Sequence, residues 1–254
     1  MADHQLHPLV PGFASVADDY ERGRPEYPAD YIPAALELTG IPSGSAVLDL
    51  AAGTGKLTRA LVAGGLDVVA VEPLPGMRAR LAAQLPADRV LDGSAETIPL
   101  PAASVDAVFC GDAFHWFHGP AAMEEIARVL RPGGALIASW LIPAPLPPDG
   151  WQARIADLLT AVRPEHPGFT PDRGLSALDA DARFTPRRAL PIPFEHTTDV
   201  EGFCAYVASF SFVGGMPPAE RAQLLDAIRA VLAGEPLPLR APSIVDAWVT
   251  TLRV

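Results

Sequence analysis

The chain has 254 residues, 49% of them apolar, and its 30 acidic against 19 basic residues give a net charge of −11. Because this charge would repel a phosphate backbone and no basic cluster offsets it, we expect no nucleic acid partner. The apolar stretches are short and interrupted, so we expect no membrane span, and the first residues lack a secretory leader, so we expect a cytoplasmic protein.

The first 140 residues predict two helices followed by a parallel sheet. The helices, 14–20 and 31–38, are joined by a proline-rich stretch around residues 24–28. From residue 45 to 140, short β-branched runs alternate with helical patterns, which is typical of βαβ units. The predicted strands are 46–50, 67–72, 89–91, 105–110 and 135–140. The predicted helices between them are 56–64, 77–85 and 120–130, and the last ends at the stop signal of residues 131–134.

The C-terminal part is predicted to extend the same sheet. Residues 143–148 are too rich in proline for a helix or central strand, so we expect a loop that could lead into a lid. An irregular stretch precedes residue 188, and the regular elements predicted here are helices 151–162, 200–209 and 218–233 and strands 190–196 and 244–252. The prediction is one α/β domain over residues 1–254, Rossmann-like and doubly wound, mostly parallel with antiparallel C-terminal strands. A core of about 40–140 carries a helical cap from residues 1–39 and a lid-like insertion within 141–235.

The segment VLDLAAGTGKLT runs from strand through a glycine-containing turn into a helix. Gly53 and Gly55 let backbone amides approach a ligand at the helix N-terminus, where an anionic or polar group is favoured. Dinucleotides and S-adenosylmethionine both use such a loop. The dinucleotide fingerprint counted from Gly53 needs a small residue where this chain has Thr58, which disfavours the dinucleotide.

The ordered motifs VLDLAAGTGKLT, VVAVE, DGSAETIPLPAASVDAVFCGDAFHWF and RVLRPGGALIASW resemble those of class I S-adenosylmethionine-dependent methyltransferases. Within that superfamily they are similar to the small-molecule branch, methyltransferase type 11, with its ubiquinone/menaquinone-type and trans-aconitate-type enzymes. The cofactor motifs cover about residues 20–140, and VASFSFVGGMPPAERAQLLDAI also resembles the trans-aconitate-type group. Ala51 stands where the family often has glycine, and we expect little change in the loop.

The resemblance implies a binding role for the cofactor at each motif. Asp49 would orient the loop of Ala51, Gly53 and Gly55 and the methionine end of the cofactor. Glu72 would accept hydrogen bonds from the ribose diol, and its alternative is a capping or solvated acid.

The remaining motifs would surround the adenosine and the sulfonium. Pro73 and Met77 would pack on adenosine, although Met77 alone would more often be core. Ser94, Ala95 and Glu96 would lie beside the adenine, or else form an ordinary surface turn.

Two further motifs would hold the reacting end of the cofactor. Gly111 and Asp112 close the fourth strand, beneath the expected sulfonium. Tyr20 and Arg24 match an N-terminal pattern that could close over the amino acid carboxylate, the alternative being a surface helix end.

The methyl acceptor has no motif of its own. If the acceptor must lose a proton, His115 is the best-placed candidate for a general base, and its alternative is a packed polar residue. Trp116 could be core or cofactor wall, and Phe210 and Phe212 could line an acceptor pocket or belong to the core. The acceptor would lie on the side of the cap, residues 1–39 and 141–235.

We therefore expect transfer of a methyl group from S-adenosylmethionine to O, N or C of a small molecule, by a monomer or homodimer. One alternative is a protein of this fold that binds the cofactor without methylating, for example a cyclisation catalyst. A second alternative, disfavoured by the residue at Thr58, is an NAD-dependent oxidoreductase. Cys110 and Cys204 lack the spacing of a disulfide framework or zinc site, so no metal is expected.

Overall fold

A computed structural model describes residues 7–10, 13, 16–145, 149–163 and 166–254. Within these residues the chain forms a seven-stranded sheet of order β3-β2-β1-β4-β5-β7-β6. The strands are β1 (Ala46–Leu50), β2 (Asp67–Val71), β3 (Val90–Leu91), β4 (Val105–Gly111), β5 (Leu130–Pro143), β6 (Arg188–Thr198) and β7 (Leu239–Thr251). Strands β1 to β5 pair in parallel, and β7 pairs antiparallel with both β5 and β6.

The helices lie on both faces of the sheet and beyond its antiparallel end. They are α1 (Ala17–Gly23), α2 (Tyr31–Thr39), α3 (Lys56–Ala63), α4 (Pro75–Leu81), α5 (Gly119–Val129), α6 (Trp151–Val162), α7 (Leu175–Asp179), α8 (Val200–Ala208), α9 (Ser211–Gly214) and α10 (Pro218–Leu232). No helix in the described ranges is long and apolar enough to cross a bilayer.

Alternate residues of the parallel strands enter two separate cores. Val47 and Phe109 pack with α2 and α3 on one face, whereas Leu48, Leu50 and Val108 pack with α5 on the other. Both faces are covered, which explains the nearly continuous apolar runs of β1 and β4. The carboxyl ends of β1, β2 and β4 therefore open together at one edge of the sheet, where ligands bind in folds of this kind.

A third core lies outside the sheet and is built by α6, α8, α9 and α10. Trp151 and Ile155 of α6 pack there with Phe203 and Val207 of α8 and with Ile228 of α10. Helix α1 contacts α8, so the N-terminal helix and this C-terminal cluster lie together over the carboxyl edge. The predicted mostly parallel sheet with antiparallel C-terminal strands, and its helical cap, are confirmed.

Several predicted boundaries were wrong by a few residues. The last strand begins at Leu239, five residues before the predicted start, because it pairs with β6 along that whole length. Strand β5 begins at Leu130, within the predicted end of helix α5, because Leu130 pairs with Val105. Helix α4 starts at Pro75, a favoured first helical position, and ends at Leu81 rather than at residue 85.

Other differences concern the cap. The first helix runs over Ala17–Gly23 instead of 14–20, and residues 14 and 15 lie outside the described residues. The predicted irregular stretch before residue 188 contains α7. The predicted proline-rich loop of 143–148 lies partly in β5, which ends at Pro143, and residues 146–148 lie outside the described part of the chain.

Candidate functional site

The loop between β1 and α3 makes a tight left-handed path. Its φ angles are 59° at Ala51, 60° at Gly53 and 95° at Gly55. Glycine adopts this left-handed conformation without an energetic penalty, whereas Ala51 adopts it at a cost of about 1 kcal/mol relative to glycine. At Gly55 a Cβ would also lie 2.8 Å from the side chain of Leu81 and 2.6 Å from that of Gln84. The missing side chain at Gly55 therefore lets α4 pack against the start of α3.

Glu72, directly after β2, ties this loop to the neighbouring strand. One carboxylate oxygen accepts a hydrogen bond from the backbone N–H of Gly53 at 2.9 Å, and the other accepts from that of Leu74 at 2.8 Å. The side chain is buried, and burial raises its pKa to about 7, against the lowering effect of the two backbone donors. Each oxygen keeps a lone pair, so Glu72 can accept further hydrogen bonds from a ligand.

Asp49, near the end of β1, lies beneath the loop and is 1% exposed. One carboxylate oxygen accepts a hydrogen bond from the hydroxyl of Thr58 at 2.5 Å, while the other is buried without a hydrogen-bond partner. Burial raises the pKa of Asp49 to about 7. Thr58, which disfavoured a dinucleotide in the sequence, thus has a role of its own in holding Asp49. A buried acceptor without a donor requires an explanation, and a ligand donor supplies one.

A first cavity of about 100 Å³ lies above the carboxyl ends of β1, β2 and β4. Most of the residues predicted for the cofactor line it: Tyr20, Arg24, Ala51, Gly53, Glu72, Pro73, Met77, Ser94, Ala95, Glu96, Gly111 and Asp112. Asp49 instead borders a small adjoining space that it shares with Tyr20, Arg24 and Asp112. Gly55 lies behind the loop, under α4. The sequence motifs are therefore brought together at one place.

The turn of Ser94 to Glu96 is fixed to the loop after β4. A carboxylate oxygen of Glu96 accepts a hydrogen bond from the backbone N–H of His118 at 2.8 Å. Ser94 and Ala95 are buried, so this segment is not the solvated surface turn that was the alternative. The connection gives the cavity a firm wall between the third and fourth strands.

Three described residues near the N-terminus, His7, Val10 and Phe13, line the first cavity. The rings of His7 and Phe13 pack against Trp116, with centroids 5.0 and 6.0 Å away, and Phe13 also meets Tyr20 edge-on. Val10 packs with Met77 in the same cluster. Trp116 is therefore both core and cavity wall. No sequence pattern pointed to His7 or Phe13, because both are isolated residues far from the motifs.

Arg24 lies among aromatic rings, with its guanidinium carbon 5.2, 5.3 and 5.0 Å from the centroids of Tyr20, Tyr206 and Phe210. Its Nε donates to the hydroxyl of Ser209 at 3.0 Å. Stacking on rings and bonding in the guanidinium plane fix both the position and the orientation of this cation. It is thus part of a buried contact with α8 rather than a surface helix end.

Gly23 makes the approach of Arg24 to α8 possible. A Cβ at Gly23 would lie 2.0 Å from the backbone nitrogen of Tyr206, so only glycine allows α1 to pack this closely. Gly111 has a comparable role at the end of β4, where a Cβ would lie 2.3 Å from the hydroxyl oxygen of Tyr27. These two glycines therefore allow the N-terminal cap to pack closely against α8 and against the end of β4.

A second cavity, of about 380 Å³, adjoins the first on the side of α6 and α8. Both cavities share Arg24, Asp112, Phe13 and Trp116 in their walls. The second is lined further by Trp140, Ile155, Leu159, His166, Phe194, His196, Phe203, Tyr206, Phe210 and Phe212, among others. Phe210 and Phe212 thus line this space and also pack in the third core. His196 and Tyr206, which the sequence did not single out, belong to the same wall.

His115 lies in the wall of the second cavity and is largely enclosed. Its Nδ1 accepts a hydrogen bond from the indole N–H of Trp140 at 3.0 Å, and its ring packs on Gly168, where a Cβ would lie 2.7 Å from Nε2. Burial, with a smaller contribution from the neighbouring His166, lowers the pKa of His115 to about 3. A neutral ring that accepts at Nδ1 carries its proton on Nε2 and is then a donor. The general-base role of His115 stays a prediction.

Asp112 follows β4 with a φ of 53°, a left-handed conformation that aspartate tolerates better than most residues. One carboxylate oxygen accepts from the backbone N–H of Leu141 at 3.1 Å, and the other lies 3.7 Å from Nη1 of Arg24. Burial raises the pKa of Asp112, while Arg24 opposes that shift. Asp112 and Arg24 thus form a fixed pair between the two cavities. Among the described residues no group of His, Cys, Asp and Glu could hold a metal ion.

The chain is similar to several methyltransferases. Residues 48–138 match the family model of a methyltransferase domain. An uncharacterised methyltransferase of Mycobacterium tuberculosis is 36% identical over 238 residues, 94% of this chain and 92% of the relative. An uncharacterised methyltransferase-like protein of Schizosaccharomyces pombe is 33% identical over 82% of this chain and 81% of its own.

A solved structure supports the same fold. It is that of a protein assigned as a methyltransferase from an antibiotic biosynthesis pathway of Anabaena variabilis, with a TM-score of 0.64. The match covers 91% of this chain and 98% of that one at 24% identity, so it supports the fold alone.

Proposed function

Because the chain belongs to the class I S-adenosylmethionine-dependent methyltransferases, we propose that it methylates a small organic molecule held in the second cavity. The observation that carries this proposal is the adjacency of the two cavities across Arg24 and Asp112. A walled interior space of about 380 Å³ is of the size that takes a small molecule. A nucleic acid acceptor is disfavoured, because a chain of net charge −11 would repel its phosphate groups.

The residues at the first cavity fit S-adenosylmethionine, and the unpartnered oxygen of Asp49 is the most specific sign of this. That oxygen is buried beside a space bordered by Arg24 and Tyr20. An ammonium group could donate to Asp49 there, while the guanidinium of Arg24 could hold the neighbouring carboxylate. The amino acid end of the cofactor carries one ammonium and one carboxylate, and the carboxylate of Asp49 and the guanidinium of Arg24 match these two charges.

Glu72 and the third-strand turn would hold the nucleoside end. The free lone pairs of Glu72 would accept from the ribose diol, and Met77 and Pro73 would pack on the adenosine. Ser94 and Glu96 would lie beside the adenine. When bound, the cofactor supplies an electrophilic methyl group on positively charged sulfur.

The chain's own contribution to the reaction would be alignment. Arg24 and Asp112 form part of the boundary between the cavities, and both are fixed by several contacts, so an acceptor in the second cavity would meet a firm surface near the methyl. Holding two reactants in a productive geometry can contribute an effective molarity of about 10⁵ M or more. The aromatic side chains that line the second cavity would limit the access of water to the reacting atoms.

A labelling experiment tests the small-molecule proposal. The protein is incubated with methyl-labelled S-adenosylmethionine and a bacterial extract, which is then separated into small molecules, RNA and protein. We expect label in the small-molecule fraction, together with S-adenosylhomocysteine in equal amount. Label confined to RNA or protein would contradict the proposal, and S-adenosylmethionine binding without any methyl transfer would favour a binding protein that does not methylate.

A further inference from the structure

Two tryptophans in the antiparallel part of the sheet each lie under an arginine, and they differ in the use of the indole N–H. The guanidinium carbon of Arg173 lies 4.7 Å from the ring centroid of Trp140 in β5, and that of Arg187 lies 4.5 Å from the ring centroid of Trp248 in β7. The indole nitrogen of Trp248 is buried without a hydrogen-bond partner among the described residues. The indole N–H of Trp140 instead donates to Nδ1 of His115 at 3.0 Å. Of the two stacked pairs, the one at Trp140 therefore orients a polar side chain in the wall of the second cavity.

Arg173 is fixed over Trp140 at a cost in free energy. Its Nη2 donates to a carboxylate oxygen of Asp246 at 2.5 Å, and Asp246 is the direct cross-strand partner of Trp140. Its φ of 46° is a left-handed conformation that costs a non-glycine residue about 1 kcal/mol, and its backbone N–H donates to the hydroxyl oxygen of Thr170 at 3.1 Å. Its Nη1 is buried without a hydrogen-bond partner in the described part of the chain. A strained backbone and an unbonded buried donor are both features of residues that serve a functional site.

The segment of residues 166–174 packs around His115. The ring centroid of His166 lies 5.7 Å from that of His115, and Nδ1 of His166 accepts a hydrogen bond from the backbone N–H of Gly168 at 3.0 Å. Gly168 lies against Nε2 of His115, where a Cβ would come within 2.7 Å and cover that nitrogen. At Gly174, where φ is 82°, a Cβ would lie 3.3 Å from the carbonyl oxygen of Phe114, so this turn packs on the backbone beside His115. The segment therefore fixes His115, and no side chain at residue 168 covers Nε2.

The hydrogen bond from Trp140 determines where the proton of His115 lies. A neutral imidazole carries one proton, and because Nδ1 accepts from the indole, that proton is on Nε2. Nε2 makes no hydrogen bond to the described residues, and it is not sealed from the cavity whose wall includes both His115 and Gly168. Burial, with a smaller contribution from His166, lowers the pKa of His115 to about 3, so the ring stays neutral. His115 therefore presents an N–H to the second cavity.

From these observations we propose that Arg173 and Trp140 are positioning residues for His115, and that His115 donates its Nε2–H to an oxygen of the acceptor molecule in the second cavity. The inference rests on the proposed function. Arg173 fixes the indole, the indole fixes the tautomer of the imidazole, and the imidazole holds the acceptor in alignment with the methyl group. In this role His115 takes no proton from the acceptor. A buried donor also selects against acceptors that offer no oxygen at this place.

Nuclear magnetic resonance tests the hydrogen bond and the tautomer in the protein without ligands. The full-length chain is labelled at nitrogen, and the ring signals of His115 are assigned by their loss in His115→Gln. We expect a scalar coupling across the hydrogen bond between the indole nitrogen of Trp140 and Nδ1 of His115, together with a proton on Nε2. Absence of the coupling, or a proton on Nδ1, would overturn the inference.

Two arginine variants test the role of Arg173. Arg173→Met removes the cation over Trp140, whereas Arg187→Met removes the one over Trp248 and serves as the matched control. We expect the indole N–H of Trp140 to exchange with deuterated solvent about tenfold or more faster in Arg173→Met than in the wild type, because the indole loses the contact that fixes it. In Arg187→Met the rate should be that of the wild type. Equal rates in all three proteins would overturn the positioning role of Arg173.

Two variants of His115 separate hydrogen-bond donation from proton uptake. His115→Gln keeps an N–H donor on a side chain that cannot act as a base, and His115→Met has a similar length without a donor. When the labelling experiment is repeated with both, we expect at least about fivefold more label in the small-molecule fraction from His115→Gln, as for one retained hydrogen bond. Equal transfer by the two variants is the result that a general base predicts, and it would overturn the donation.

The two tryptophans provide a second matched pair. Trp140→Phe keeps an aromatic ring and removes the N–H that His115 accepts, whereas Trp248→Phe removes an N–H that has no partner among the described residues. With both variants folded by circular dichroism, we expect about fivefold less label or lower from Trp140→Phe and the wild-type amount from Trp248→Phe. Equal amounts from the two variants would overturn the role of Trp140.

Failure of this inference and failure of the proposed function are distinguishable. The resonance and exchange measurements need neither cofactor nor acceptor, so they test the positioning of His115 whatever the reaction is. Methyl transfer by a wild type that carries the proton on Nδ1 would overturn the inference while the proposed function stands. No transfer by the wild type would overturn the proposed function and with it the donation to an acceptor, while the measured tautomer would still decide the positioning of His115.

Discussion

The guanidinium of Arg24 lies 3.7 Å from a carboxylate oxygen of Asp112, at the place where the two main cavities meet. Arg24 also stacks between rings from α1 and from the α8 region, and it donates to Ser209. One residue from the N-terminal cap therefore contacts the end of the central sheet and the C-terminal cluster together. A substitution at Arg24 should therefore affect both the cofactor in the first cavity and the acceptor in the second.

Arg24→Lys keeps the positive charge but removes the planar group and its Nε donor. We expect S-adenosylhomocysteine binding to weaken about tenfold or more, because the flexible ammonium cannot hold both the rings and a carboxylate. Calorimetry measures the effect. Arg22→Lys, on the same helix with a side chain 60% exposed, serves as the control and should bind as the wild type does. Equal affinities for all three proteins would contradict the assignment of Arg24 to the cofactor.

Gly23→Ala tests the close approach of α1 to α8. The added Cβ would lie 2.0 Å from a backbone atom of Tyr206, so the helices must separate. We expect the free energy of unfolding to fall by about 1 to 3 kcal/mol, as for other overpacked sites, and cofactor affinity to fall with it. Gly234→Ala, where a Cβ would meet nothing within 4 Å, should change stability by less than about 0.5 kcal/mol. Equal denaturation midpoints for the two variants would contradict this packing account.

Cofactor binding should strengthen as pH rises. Burial raises the pKa values of both Asp49 and Glu72 to about 7, and the proposed contacts with the ammonium and the ribose need the ionised forms. For one such group, the ionised fraction falls from about 0.9 at pH 8 to about 0.1 at pH 6, which weakens binding about tenfold. Calorimetry in buffers of different ionisation enthalpy should also show proton release. Affinity that does not change with pH would contradict the carboxylate assignments.

The same two carboxyl groups, Asp49 and Glu72, give the free energy of unfolding a pH dependence opposite to that of cofactor binding. Since their folded-state pKa values exceed those of the unfolded chain, the folded protein keeps protons that the unfolded chain loses near pH 4. Their contribution to the free energy of unfolding therefore falls as pH rises from about 4 to about 7. Denaturant titrations of wild type and Glu72→Gln at several pH values measure this. A fall of the same size in the variant would show that Glu72 has no part in it.

His115 should remain neutral through the physiological range. Its enclosed ring has a pKa lowered to about 3 and accepts from Trp140 at Nδ1. In a nuclear magnetic resonance titration we expect its ring signals, assigned by their loss in His115→Asn, to stay constant from about pH 8 to pH 5. A wild-type inflection near pH 6.5 would contradict this and would support the general-base role.

Local motifs were enough to predict the first cavity. Asp49 lies in β1, and Gly53 and Glu72 follow β1 and β2, whose positions were predicted to within a residue. Parallel strands bring their carboxyl ends to one edge of the sheet. Ala51 departs from the family's glycine, but its left-handed φ angle cannot be deduced from its residue type. The size of Thr58 disfavours a dinucleotide, but no sequence pattern predicts its side-chain hydrogen bond to Asp49.

The second cavity could not be predicted in the same way. His166, His196 and Tyr206 come from three segments that lie together only after β6 and β7 have paired and α8 has packed on α1. The sequence allows Phe210 and Phe212 either to line a pocket or to belong to a core, and in the structure they do both. The contact between Gly23 and α8 depends on about 180 residues of intervening chain.

Cofactor binding through Glu72 is the central claim, and calorimetry with S-adenosylmethionine tests it most directly. Wild type should bind one equivalent. Glu72→Ala should bind at least about thirtyfold more weakly while staying folded by circular dichroism, because the ribose loses its acceptor and the Gly53 amide its partner. Asp88→Asn, an exposed acid after α4, should bind as wild type does. No binding by the wild type, or unchanged binding by Glu72→Ala, would contradict the account.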